Sequence, residues 1–255
     1  MSDHLLIERS QGVLTLTLNR ADKKNALTRE MYGDMGDAIA AAESDQSIRA
    51  IIIQGSADCF TSGNDVSDFI KNERTGTDSP VYRFLKAVCH ASKPLIAAVN
   101  GPCAGISYSY AMACDLMVMA ESAYLFQPFV GIGLVPDGGA TWLLPSFVGA
   151  KRAYELMAFG EKLGAEKAVE WGLANRKLPD DDFAGHAMTF AQELAGRSPL
   201  GLRYAKEALA FGASHNLGDS ISKEAALQVS CIGSDDSKEA IKAFFEKRQP
   251  DWQGK

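Results

Sequence analysis

The sequence predicts an α/β fold, with a mixed core over residues 1–195 and a helical region over 196–255. Three observations predict it. Apolar, β-branched runs alternate with helical periodicity through the first half of the chain. Around Pro94 to Ala113 a strand, a tight turn and a helix follow one another directly, and from Lys151 onward helical segments succeed each other with little but Gly or Pro between them.

Residues Val13 to Asn19 (VLTLTLN) alternate apolar and polar, the pattern of a half-buried strand. Thr28 is placed to cap a helix running to about Ser44, with Glu30 in its first turn and Met31, Met35, Ala38, Ile39 and Ala42 on one face. Arg49 to Gln54 (RAIIIQ) reads as a buried strand. Lys71 to Ser79 is polar and breaker-rich, predicting a mobile surface loop before a helix that begins near Pro80. PLIAAVN from Pro94 is a strand ending at Gly101 and Pro102, Ala104 to Ala113 is helical, and DLMVMA from Asp115 is a further strand. Helices are predicted at about 151–159, 165–171, 182–196, 199–212, 217–231 and 235–248. The apolar content of the tail predicts that it packs on a neighbouring subunit.

With 255 residues, 46% hydrophobic and 23% charged, the chain has ordinary globular composition. That length suits one large core, since single cores stop growing near ~250–300 residues. The net charge is −6 and the 26 Lys and Arg are scattered, which argues against nucleic acid as a partner. No apolar run approaches the ~18 residues of a membrane span and the start lacks a signal-like stretch, so a cytoplasmic protein is expected. Cys59, Cys89, Cys103, Cys114 and Cys231 form no C-x-x-C pair and read as reduced core filler. His4, His90, His186 and His215 lie far apart, so no metal site is expected.

Three segments carry candidate chemistry. In CFTSGNDVSDF, Ser62, Gly63 and Asn64 suit a turn whose N–H groups face outward to an anion, although the same residues suit a plain β-turn before a short helix capped by Asp65 or Ser67. In NGPCAGISYS, a strand feeds a glycine turn and a helix whose first free N–H groups lie near Gly105 and Ile106. Such donors form half of an oxyanion hole; an ordinary strand-to-helix corner reads the same way. In FQPFVGIGLVPDGGATWLLP, Asp137 is the one ionisable residue. Surrounded by Phe129, Val130, Ile132, Leu134 and Trp142, it would be desolvated and so a stronger base, unless it merely caps the turn or helix after it.

These segments, in this order, resemble the crotonase (enoyl-CoA hydratase/isomerase) superfamily. The resemblance extends over LNRADKKNALT, SGNDVSDF, KPLIAAVNGPCAGIS, FVGIGLVPDGGATWLLPSFVG, KRAYELMAFGEKLGAEKAVEWGLA and SKEAIKAFFEKRQPDW. It implies a crotonase-like (ClpP/crotonase) spiral of ββα units with a C-terminal helical trimerisation region, assembled as a homotrimer or dimer of trimers. The substrate would be an acyl-CoA thioester whose carbonyl oxygen sits between the backbone N–H groups of Asn64 and Ile106. Lys24, Asn25, Ala26 and Leu27 would line the CoA groove, with Ser62, Gly63, Asp65, Val66, Gly105, Phe129 and Trp142 around the substrate. Phe244 and Lys247 would reach the adenine end from a neighbouring subunit. No cofactor is implied, coenzyme A being part of the substrate.

Hydratases of this superfamily carry two glutamates, and these would fall at Ser109 and Phe129, neither of which is a proton-transferring acid at neutral pH. Members that shift a double bond carry one acid at the position of Asp137. The resemblance therefore points to a Δ3,Δ2-enoyl-CoA isomerase of fatty-acid β-oxidation, in which Asp137 moves a proton from C2 to C4. The alternatives are an enoyl-CoA hydratase, an isomerase of ring-derived CoA esters and a non-catalytic CoA-ester binding subunit.

Overall fold

The computed structural model describes residues 3–71 and 77–255. Leu5–Ser10 (β1) and Val13–Leu18 (β2) form an antiparallel hairpin, closed by Gln11 and Gly12, both in the left-handed region that such a two-residue turn requires. Arg29–Ser44 (α1) follows, its first turn capped by the Thr28 hydroxyl, which accepts from Met31 N–H. Next come Ala50–Gly55 (β3), Val66–Lys71 (α2) and Pro80–His90 (α3), the last opened by a Ser79 cap with proline in its first turn. Leu95–Val99 (β4), Pro102–Ala104 (β5) and Ile106–Ala113 (α4) form the next group. Leu116–Ala120 (β6), Tyr124–Phe126 (β7) and Ala140–Val148 (α5) repeat it.

The rest of the chain adds Ala150–Phe159 (α6), Leu163–Gly164 (β8), Ala165–Glu170 (α7), Arg176–Leu178 (β9) and Phe183–Ala195 (α8). Pro199–Gly212 (α9), Leu217–Ile232 (α10) and Asp235–Glu246 (α11) complete it. Among the described residues, no helix is long and apolar enough to cross a membrane.

The strands build two layers. The larger sheet runs β1-β2-β3-β4-β6-β9 and is parallel beyond the first pair; the smaller runs β5-β7-β8. Each turn of the chain gives its first strand to the large sheet and its second to the small layer, then leaves through a helix. β4, β5 and α4 make one such turn, and β6, β7 and α5 the next. Isolated bridges extend the pattern backward, Thr61 to Cys103 and Leu27 to Asn64. This is the spiral of ββα units that the sequence resemblance implies.

Several elements differ from the sequence reading. β2 is buried on both faces, because β1 and β3 flank it and α8 packs across it, so Thr15 and Thr17 lie inside despite the alternating pattern. Thr17 is satisfied there by Gln54, whose amide donates to its hydroxyl at 3.1 Å. The predicted helix at Ala104 begins instead at Ile106, Ala104 being tied into β5 by its N–H to Thr61 O. β1, β5, β7, β8 and β9 were not predicted; the last four have three or fewer residues, too little for a period to show, and β1 is an edge strand. Of the cysteines, Cys59, Cys103 and Cys114 are buried, but Cys89 is exposed and Cys231 partly so, which corrects their reading as core filler. The predicted 71–79 loop falls partly on residues 72–76, outside the described residues.

The last three helices stay largely uncovered in the protomer, with Leu209, Leu217, Ile221, Val229, Ile232, Ile241, Phe244 and Phe245 exposed. They are nevertheless tethered. Lys206 pairs with Asp115 at 2.7 Å, and the same carboxylate accepts from Leu95 N–H at the start of β4. The chain end returns to the core, where Arg49 donates to Trp252 O and the Trp252 indole to Gly196 O.

Candidate active site

Two successive turns of the spiral place two unpaired amides in equivalent positions. Thr61 pairs with Cys103, so Asn64 and Ile106, each three residues further on, share a register. Each directly follows a glycine at positive φ, Gly63 at 95° and Gly105 at 64°. A left-handed residue turns the next peptide out of the strand ladder, which only glycine does without steric strain. Gly63 is required twice over, since a Cβ there would stand 2.9 Å from Ala104 O. Leu27 N–H donates to Gly63 O and Asp65 N–H to Leu27 O, so the backbone on both sides of Asn64 is fixed. Among the described residues neither Asn64 N–H nor Ile106 N–H has a hydrogen-bond partner.

Both residues line a cavity of about 350 Å³, and so does Asp137. Its carboxyl is raised above the ordinary aspartate value, chiefly by burial, with its own N–H pulling the other way. As a residue, however, Asp137 is still exposed in the protomer. A carboxyl on the wall of an open cavity has protein on one side and water on the other, so its rise is smaller than full burial would bring. The desolvating surroundings also differ from those expected. Val130, Ile132, Leu134 and Trp142 are exposed; the apolar wall near the carboxyl is instead built by Leu27, Tyr32, Val81, Leu85 and Ile106.

What fixes Asp137 is Ser109, a fully buried hydroxyl that donates to Asp137 O at 2.7 Å. Gly138 allows the approach, because a Cβ there would stand 3.0 Å from Ser109 Cβ and 3.1 Å from Ile106 Cγ1. The residue expected to mark only a missing acid thus pins the segment carrying the remaining one to helix α4, which also begins with Ile106. Ser109→Ala is expected to lower turnover about 10-fold and stability by about 0.5–1.5 kcal/mol, the net worth of one hydrogen bond, as read by steady-state kinetics and denaturant melts.

Other predicted site residues divide in two. Leu27 and Asp65 line the cavity, and Gly63 and Gly105 shape its backbone. Asp65 is occupied structurally: it accepts from Ser67 and pairs with Arg20 at 2.9 Å, which hold its carboxyl down at about 2. The remainder do not line the cavity in this chain. Asn25 is a correction: fully buried, it uses its carboxamide on Arg20 N, Ser56 Oγ, Ser56 O and Cys59 O, leaving nothing for a ligand. Lys24 offers its carbonyl to Ser62 N–H, and Lys24 and Ser62 are exposed while Ala26 is half-buried. Val66 and Trp142 are exposed, and Phe129 is buried with its ring tip 3.7 Å from where a Gly105 Cβ would lie. Phe244 is exposed on α11 and Lys247 just past its end.

Sequence reasoning missed Arg20, which bridges two segments by donating to both Ala26 O and Asp65. It also missed Tyr32, Tyr82, Arg29 and Asp68 on the cavity wall. Tyr32 lies within the predicted helix α1 but outside the residues assigned to its apolar face, so neither its burial nor its place on the cavity wall was read. Among the described residues, no cluster of three His, Cys, Asp or Glu is placed to hold a metal.

An α/β spiral that sets two free main-chain donors beside a carboxylate in one cavity defines a class of enzyme suited to stabilising an enolate. A family model described as enoyl-CoA hydratase/isomerase matches residues 8–255. Among curated relatives, the chain is 37% identical to a protein of Rhodobacter capsulatus named "Probable enoyl-CoA hydratase" and 33% identical to 1,2-epoxyphenylacetyl-CoA isomerase of Escherichia coli, each alignment covering 100% of both chains. Among solved structures, an enoyl-CoA hydratase from Polaromonas sp. JS666 superposes with a TM-score of 0.92 at 30% identity, over 98% of this chain and 99% of that one. The chain belongs to the enoyl-CoA hydratase/isomerase family of the crotonase superfamily, enzymes acting on CoA esters.

Proposed function

We propose that the protein is a Δ3,Δ2-enoyl-CoA isomerase. The Asp137 carboxylate takes a proton from C2 of a 3-enoyl-CoA, the C–H electrons move into a dienolate, and the same carboxyl returns the proton to C4 as the C2–C3 double bond forms. The thioester oxygen carries the transient charge between Asn64 N–H and Ile106 N–H. No water is consumed, and no cofactor is needed beyond the CoA portion of the substrate.

The observation that carries this reading is the state of the carboxylates on the cavity wall. Asp65 is committed to Arg20 and Ser67, and Asp68 accepts from Arg29 N–H. Asp137 is the one whose carboxyl is raised by burial, and Ser109 and Phe129 stand where a hydratase of the family has its glutamates. One acid suffices for an allylic shift; activating water and delivering a separate proton asks for two.

In the same reading residues 1–195 bind and transform the ester, and residues 196–255 assemble a homotrimer or dimer of trimers through the exposed apolar faces of α9 to α11. Lys24, Ala26 and Leu27 border the CoA groove, and Phe244 and Lys247 serve a neighbouring subunit. A second reading, a ring-derived ester as substrate, is favoured by the two tyrosines on the cavity wall, Tyr32 and Tyr82, and by the name of the E. coli relative. The test is to supply 3-hexenoyl-CoA, a cyclic 3-enoyl ester and crotonyl-CoA in parallel. Gain of conjugated-enoyl absorbance with either of the first two is expected. Loss of absorbance with crotonyl-CoA and no change with the others would establish a hydratase and reject the proposal.

A further inference from the structure

The two unpaired amides are held in place unequally. Ile106 is the first residue of an eight-residue helix, and its side chain is packed in the core at 2% exposure. Asn64 lies in a loop directly after a glycine at φ 95°, where Leu27 N–H to Gly63 O and Asp65 N–H to Leu27 O hold the main chain on either side and the Asn64 side chain is left to be fixed separately.

The Asn64 carboxamide has one hydrogen-bond partner among the described residues. The Tyr32 hydroxyl donates to Asn64 Oδ1 at 2.8 Å from the first turn of α1. Tyr32 is itself fixed. It is 1% exposed, its ring lies 5.5 Å from Phe84, and Phe84 meets Tyr110 edge-on at 5.1 Å. Tyr32 therefore presents its oxygen from a rigid aromatic stack, and it also lines the cavity that holds Asp137.

We propose that Tyr32 is a positioning residue of the oxyanion site, its hydroxyl clamping the Asn64 side chain so that the Asn64 N–H stays aimed at the thioester oxygen. The inference rests on the role given above to that N–H. Burial, reinforced by the charge of Asp137, pushes the phenol well above its ordinary pKa, so it remains a neutral donor across the working pH range and is not the proton carrier.

The test is Tyr32→Phe, which keeps the ring and its packing. The probes are steady-state kinetics with 3-hexenoyl-CoA and the infrared carbonyl stretch of bound hexanoyl-CoA carrying carbon-13 in the thioester. With one hydrogen bond lost, kcat is expected to fall roughly 3- to 10-fold with KM little changed. The carbonyl stretch should move part of the way back toward its solution value, and the acid limb of the pH profile should stay where it is. In an Asn64→Ala background the same substitution should have no further effect on kcat. A parent-like stretch and turnover in Tyr32→Phe, or an equal loss in the Asn64→Ala background, overturns the clamp while leaving the oxyanion site standing. If the parent enzyme itself shows no displaced carbonyl stretch, the oxyanion assignment fails, and the clamp fails with it.

Discussion

Asp137→Asn is expected to lower kcat for 3-enoyl-CoA isomerisation by at least ~10²-fold while leaving KM nearly unchanged, because proton transfer is lost and the shape of the cavity is not. Steady-state kinetics with 3-hexenoyl-CoA reads both quantities. Turnover at the parent rate removes Asp137 as the base. The raised pKa adds two further expectations. A base must be ionised, so parent activity should fall as the pH drops through a value above the ordinary aspartate range, and that limb belongs to Asp137. For stability the sign is opposite to that of a salt-bridged carboxylate. Folding disfavours the charged form, so Asp137 weakens the fold above its folded pKa, and the deficit disappears as the group protonates on acidification. Asp137→Asn should therefore melt at the same or a higher temperature than the parent at neutral pH, the difference narrowing in acid.

Gly63→Ala is expected to cost turnover about as heavily, by ~10²–10³-fold, the loss associated with one oxyanion donor. The φ of 95° strains any residue with a Cβ, and the new methyl group would meet Ala104 O at 2.9 Å. Relief requires the Thr61–Asn64 loop to move away from β5, which separates the Asn64 amide from the Ile106 amide. The strain itself is about 1–3 kcal/mol, small enough for the folded enzyme to be assayed. By contrast Ile106→Val, which leaves the main-chain donor in place, should cost far less. A Gly63→Ala enzyme with parent kcat would show that the Asn64 amide does not bear the developing charge.

Much of this architecture was readable from the residues alone. Helices α1, α3 and α6 to α11 follow a 3.6-residue period and fall close to their predicted bounds, with side-chain caps opening α1, α3, α9, α10 and α11. The three chemical segments were found because glycines interrupt apolar runs at Gly63, Gly105 and Gly138. What they mean together was not readable, because the shared register of Asn64 and Ile106 depends on the pairing of Thr61 with Cys103, 42 positions apart in sequence. Asn25 misled for a related reason: a polar residue in a loop looks available to a ligand until four buried contacts are seen to occupy it. Tyr32 was legible only as a residue within a predicted helix, and Ser109 only as an absent acid. The partners of both come from distant turns of the spiral.

The most direct measurement of the central claim is a crystal structure of the Asp137→Asn variant with a 3-enoyl-CoA bound. The account predicts the thioester oxygen about 2.7–3.1 Å from both Asn64 N and Ile106 N, with C2 and C4 on the face presented to residue 137. A thioester oxygen held elsewhere, or residue 137 beyond reach of both carbons, would contradict it.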